Sequence, residues 1–143
     1  MTESKTIRIL VTGSRTWINL EKITDTLELI RRQHPDTSRW VIVHGACPDG
    51  ADAMVDAWAQ VRGIDREPHP ANWKRYGSKA GFKRNTDMVR KGADVCLAFL
   101  EPCTKRNCRD AAKVHGSHGT VHCSTQAREA GIATWTIRDR FPS

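Results

Sequence analysis

Ile7-Arg8-Ile9-Leu10-Val11-Thr12-Gly13-Ser14 is an apolar run that breaks at a glycine. A run this short, rich in β-branched residues and closed by Gly-Ser, reads as a strand buried on both faces, the habit of parallel sheets. Downstream, Leu20, Ile23, Leu27 and Ile30 recur at helical spacing, with Asn19 placed to cap them and Pro35 to stop them. Trp40-Val41-Ile42-Val43 is a second buried strand that ends in His44-Gly45. Met54, Ala57, Trp58 and Val61 form the next helical stripe, and Gly63 stands where a helix C-cap is expected. Residues 64–69 make a poorer strand, assigned to an edge because prolines intrude. Residues 78–91 read as a helix stopped by Gly92, and Val95–Phe99 as a fourth strand. Residues 120–130 are helical, Gly131 ends them, and residues 132–137 form a fifth strand.

Strand and helix thus alternate through the chain, which predicts a single Rossmann-like α/β domain spanning 1–143, with its core at about 6–138. Its five-stranded parallel sheet is covered by helices on both faces. Right-handed crossovers favour the order 3-2-1-4-5, with a switch point between strands one and four, where ligands settle beyond the carboxyl ends of the strands. The length, 143 residues, suits one such domain, and the five tryptophans are expected to supply buried surface.

The net charge of +7 is uneven. Residues 1–70 carry nine Lys/Arg against ten Asp/Glu, and residues 71–143 carry fourteen against six. A basic half points to an anionic partner. The five cysteines are an odd number, Met1–Lys5 is polar, and Ile7–Val11 is too short for a signal core or a membrane span. The expectation is a cytoplasmic protein with reduced thiols and no membrane partner.

Three strand-to-helix loops carry phosphate-friendly chemistry on the same sheet edge. Gly13, Ser14 and Arg15 offer a close backbone approach, a hydroxyl and a guanidinium fork. Gly45, Asp49, Gly50 and Asp52 lie in a loop that feeds a helix N-terminus, whose free amides attract an anion. Asp49 or Asp52 is a candidate for a ribose hydroxyl, and Asp52 is equally a candidate helix cap. His118, Gly119 and Thr120 precede the last helix and repeat the arrangement. Residues 71–91 hold seven Lys/Arg and one acid, and within them Arg84 and Asn85 are placed to reach the ligand.

Cys103 and Cys108, followed by His115, His118, His122 and Cys123, are a separate constellation of zinc-type ligands in a loop without hydrophobic anchors. The expectation is that no cofactor is required for function and that Cys103, Cys108 and His115, with one further His or Cys, hold a structural zinc. Cys47 and Cys96 are read as free thiols.

Val11–Trp17, His44-Gly45 through Gly50-Ala51-Asp52, Ala80–Met88 and Gly119-Thr120 together resemble the YspA-like, cpYpsA-related branch of the SLOG superfamily. The resemblance covers roughly residues 6–138. It implies a Rossmannoid fold and binding of a nucleotide-derived ligand of the ADP-ribose or NAD-derivative type, by a sensor or sequestering protein of phages or bacterial conflict systems. It extends to the lonely-guy phosphoribohydrolases through Arg84-Asn85-Thr86-Asp87-Met88, which marks Arg84 as the functional arginine. A hydrolase would use Arg84 to stabilise the anion, with an acid such as Asp87 or Asp49 assisting. Cys123, however, stands where those enzymes carry a glutamate, so the resemblance favours a binder over a nucleotide N-glycosidic hydrolase. A fainter resemblance of the tail, Gly119-Thr120 with Ala127 and Gly131, is to DNA-processing protein A. With the basic C-terminal half, it supplies the third reading, a single-stranded DNA binder. Related folds form oligomers, and a homodimer is expected.

Overall fold

The computed structural model describes residues 5–110 and 112–142. Strands β1 (Thr6–Gly13), β2 (Arg39–His44), β3 (Asp65–Pro68), β4 (Val95–Leu100) and β5 (Ala133–Arg138) form one all-parallel sheet in the predicted order, β3-β2-β1-β4-β5. The register aligns Ile9 with Ile42 on one side and with Val95 on the other, and pairs Gly13 with Phe99. All six residues of β4 are buried, as a central parallel strand requires.

The period of two along β1 divides the core. Ile7, Ile9 and Val11 pack with Ile23, Leu27 and Ile30 of α1 (Leu20–Gln33) and with Ala51, Val55, Trp58 and Ala59 of α2 (Gly50–Val61). Leu10 turns the other way, and with Val41, Val43 and Cys96 it meets Met88 and Val89 of α4 (Ala80–Lys91) and Cys123 and Ala127 of α5 (His118–Glu129). Each fully buried aliphatic side chain contributes about 1.5–3 kcal/mol, so the two faces hold the sheet between helix pairs without a disulfide. The expected cap is present, because Asn19 Oδ1 accepts from Lys22 N at 3.0 Å.

The edge strand β3 is tied across the sheet. Arg8 of β1 forks onto Glu67 with both bonds at 2.9 Å, and Lys91 reaches the same carboxylate at 3.1 Å. The Arg8 fork, followed by His69 and Lys91, holds the Glu67 carboxyl well below the usual carboxylate range despite its partial burial.

Two helix starts and the placement of one tryptophan differ from the sequence expectation. The helix expected from Ser78 begins at Ala80; before it come α3 (Trp73–Tyr76) and a 3-10 turn over Gly77–Lys79. Asn72 caps α3 by accepting from Arg75 N at 3.1 Å, and Gly77, at a φ of 57°, ends it. Helix α5 starts two residues early because Ser117, not the Gly119-Thr120 pair, occupies its N-cap. Trp73 is not core surface: it is 51% exposed, whereas Trp17 and Trp58 are buried. No described helix is long and apolar enough to cross a membrane.

Candidate functional site

At the switch point the β1–α1 loop leaves toward one face of the sheet and the β4–α5 segment toward the other, which opens a crevice between them. Gly13 is required there by space: a Cβ at this position would stand 2.3 Å from the Ala51 Cβ. The following Ser14 is nearly inaccessible and fully engaged. Its N–H donates to Phe99 O at 3.0 Å, its Oγ accepts from Glu101 N at 2.9 Å, and its Oγ also lies 2.6 Å from Ser117 Oγ. Ser14 therefore joins the ends of β1 and β4 to the start of α5. Arg15, beside it, is exposed and lines the crevice. Behind the loop, the buried Glu101 carboxylate accepts from Thr16 Oγ1 at 2.6 Å and from Arg140 Nη2 at 2.9 Å.

The β2–α2 loop forms a second wall. A Cβ on Gly45 would lie 2.6 Å from Arg84 Nη1, so any side chain here would displace the Arg84 guanidinium. Arg84 donates through Nη1 to Gly45 O and, at 3.4 Å, to His69 O, while its Nε donates to Asn85 Oδ1 at 2.9 Å. Asn85, 4% exposed, passes the connection on by donating from Nδ2 to Gly119 O at 3.2 Å. Ala46 adopts a φ of 58°, a costly conformation for a residue with a Cβ, and its N–H donates to His44 Nδ1 at 3.0 Å. That contact leaves the His44 proton on Nε2, which faces Asp56 at 2.8 Å.

Asp52 does not cap α2; Asp49 occupies that position. Asp52 lies in the first turn, where its Oδ2 accepts from Cys47 N at 3.2 Å. Burial pushes its carboxyl up, opposed by the Cys47 amide and by the nearby His44 and Arg84.

The third wall is the start of α5. The first bond back to its N-cap is from Val121 N to Ser117 O, at 3.1 Å. The amides of His118, Gly119 and Thr120 therefore have no partner within the helix, and they carry its positive dipole end.

These walls enclose a cavity of about 560 Å³, within the range of small-molecule sites. Of the ligand-binding residues expected from sequence, Gly13, Ser14, Arg15, Gly45, Asp52, Arg84, Asn85, His118, Gly119 and Thr120 line it together. Asp49 and Gly50 do not line it. Asp49 is exposed at its cap position, and Gly50, at a φ of 72°, lets α2 approach Ser14 O. Asp87 lies outside as well: it borders a smaller cavity of about 200 Å³ and pairs with Lys83 at 2.9 Å.

Sequence reasoning passed over Trp73 and Phe82, both about half exposed and both in the cavity wall. Phe82 stacks on His122 with ring centroids 4.2 Å apart. Aromatic residues among the cations of residues 71–91 were the available signal. Lys105 is a further lining residue, so among the described residues three cationic side chains and one carboxylate line the cavity.

The cysteine and histidine constellation divides. Sγ of Cys103 and Cys108 and Nε2 of His115 and His118 lie within 4.8 Å of one another, a group that could hold a metal ion. His122 and Cys123 are not part of it. Cys123 is sealed in the α4–α5 side of the core, where burial pushes its thiol up to about 11. Cys96 is likewise buried and pushed up to about 12.

The fold and this site define a Rossmannoid α/β protein with an open, cation-lined cavity at the switch point of its sheet. The chain belongs to the YspA, cpYpsA-related SLOG family, whose family model matches residues 7–76. It is 38% identical over 138 residues to the Gene 61 protein of Mycobacterium phage D29, covering 93% of this chain and 98% of that one.

Proposed function

We propose that the cavity binds a phosphate-bearing, nucleotide-derived ligand of the ADP-ribose or NAD-derivative class and returns it unchanged, as a sensor or sequestering protein does. The observation that carries this reading is the meeting, in one cavity, of three kinds of group. Arg15, Arg84 and Lys105 supply positive charge, the open α5 amides supply fixed donors, and Trp73 with Phe82 supplies aromatic surface. Cations and helix-start amides suit phosphate, and aromatic faces suit a base. Asp52, the one carboxylate among the described lining residues, is the acceptor available to a ribose hydroxyl. Family membership supports the same reading.

Intact return of the ligand is favoured over glycosidic cleavage by Cys123. A buried, protonated thiol outside the cavity lining offers no carboxylate-like charge at the position that carries glutamate in the lonely-guy enzymes.

The test is mass spectrometry of small molecules released from the purified protein, followed by calorimetric titration with ADP-ribose, its cyclic isomers and AMP. Saturable one-site binding, with the ligand recovered intact, is expected. Breakdown products would replace the binder with a hydrolase. No binding, together with salt-dependent affinity for single-stranded DNA that falls as Lys74, Arg75, Lys79 and Lys83 are neutralised, would replace it with a nucleic-acid module.

A further inference from the structure

We infer that Cys103, Cys108, His115 and His118 bind one zinc ion in a closed tetrahedral site, and that this ion holds the β4–α5 loop and sets the cavity wall it forms. His118 Nε2 lies 3.5 Å from Cys103 Sγ, 3.1 Å from Cys108 Sγ and 3.3 Å from His115 Nε2, and Cys108 Sγ lies 3.3 Å from His115 Nε2. Zinc bonds of about 2.0–2.1 Å to nitrogen and about 2.3 Å to sulfur place tetrahedral ligands about 3.3 Å apart for a nitrogen pair and about 3.5 Å for nitrogen and sulfur. The histidine pair and the Cys103–His118 pair stand at those separations, the two distances from Cys108 are slightly shorter, and all four atoms lie within 4.8 Å of one another.

Their chemistry also calls for a cation. His115 Nδ1 faces Lys113 O at 2.8 Å, and a carbonyl only accepts, so the ring proton sits on Nδ1. Nε2 therefore points a lone pair at the centre of the cluster, the arrangement that a metal-binding histidine keeps through its outer nitrogen. On binding, the two thiols release their protons to solvent and coordinate as thiolates.

Among the described residues the loop has no other anchor of comparable kind. Its neck is the antiparallel bridge of Pro102 with Gly116, where a Cβ on Gly116 would lie 2.8 Å from Leu100 Cδ1. Above the neck, Cys103, Cys108 and His115 are the described residues of 103–115 withdrawn from solvent, and all the others are exposed. What would be a hydrophobic anchor elsewhere is here the cluster itself. All four ligand positions are filled by the protein, which marks a structural site rather than a catalytic one. The fourth ligand, His118, is the first residue of α5, and Cys103 and His118 both line the cavity.

The test does not depend on the ligand of the cavity. Tag-free protein purified under a reductant is analysed for metal, then exchanged with Co²⁺. One equivalent of zinc is expected, along with the intense visible bands of tetrahedral cobalt and a thiolate charge-transfer band that weakens in Cys103→Ser. Trypsin provides the second readout. Removing zinc with a chelator should expose Lys105, Arg106, Arg109 and Lys113 to cleavage while the far-ultraviolet circular dichroism of the sheet and helices persists. Substoichiometric metal with a cobalt spectrum no different from the aqueous ion would overturn the inference. So would a Cys103–Cys108 disulfide that persists under reductant, or loop cleavage indifferent to zinc.

Discussion

The β1–α1 loop is anchored by Trp17, which is 1% exposed and meets Phe99 edge-on with ring centroids 5.3 Å apart, whereas the described residues from Thr104 to Val114 bury no aliphatic or aromatic side chain. Both loops border the same cavity, and Ser14 touches Ser117 between them at 2.6 Å. One loop is fixed by hydrophobic burial and by continuity with the core. The other is fixed by a neck bridge and four polar side chains that converge on a point. The phosphate site proposed above needs donors held in place before the ligand arrives, and the two sides of the cavity are held by two different means.

Breaking the hydrophobic side should have the largest effect. Trp17→Ala removes a fully buried aromatic residue and should cost about 3–5 kcal/mol, read as a fall of about 10 °C or more in Tm. A shift of only a degree or two would mean that the loop, not the core, carries Trp17.

Arg15→Ala sharpens the comparison, because Arg15 is exposed and its side chain makes no hydrogen bond or ion pair with a described residue. Removing one charge-assisted bond to phosphate, worth about 1.5–3 kcal/mol, should weaken ADP-ribose binding roughly 10- to 100-fold and leave Tm unchanged. Unchanged affinity would move the phosphate away from the β1–α1 loop. Arg84→Ala is a less clean probe, since it also strips donors from Gly45 O and His69 O.

The smallest expected effect concerns Asp52. Its carboxyl is raised in the folded protein, chiefly by burial, so the folded state holds a proton that the unfolded chain has already lost. That ionisation costs stability as pH rises from the unfolded value, about 3.9, toward the folded one. Asp52→Asn is free of that cost, so its Tm relative to the parent should rise as pH climbs above the unfolded value. A difference that stays constant or falls with pH would show that Asp52 is stabilised as a carboxylate by the Cys47 amide and Arg84.

Much of the fold was legible because apolar periodicity and glycine stops are local signals. Ile7–Val11, Trp40–Val43 and Val95–Phe99 each announce a buried strand, and parallel connection rules then order them. The N-terminal start of α4 was not legible, because α3 depends on the Asn72 cap and the turn at Gly77, and both resemble a continuous basic helix in sequence. Among the cavity-lining residues, Gly13, Gly45 and Gly119 could be read from the strand-to-helix loops, and the Arg84-Asn85 pair from the basic stretch at helical spacing. Trp73 was assigned to the core because tryptophan usually goes there, and only the tertiary arrangement sets it in the cavity wall. The role of Glu101 was hidden for a different reason. Its partners, Thr16 and Arg140, are 85 and 39 residues away, and no local pattern links them.

The most direct test of the cavity as a nucleotide-ligand site is a titration of ¹⁵N-labelled protein with ADP-ribose, followed through the backbone amides. Saturable shifts are expected at Gly13, Arg15, Gly45, Gly119 and Thr120, with the edge strand at Asp65–Glu67 unmoved. Shifts confined to Lys74–Lys83, or no shifts at saturating ADP-ribose, would contradict it.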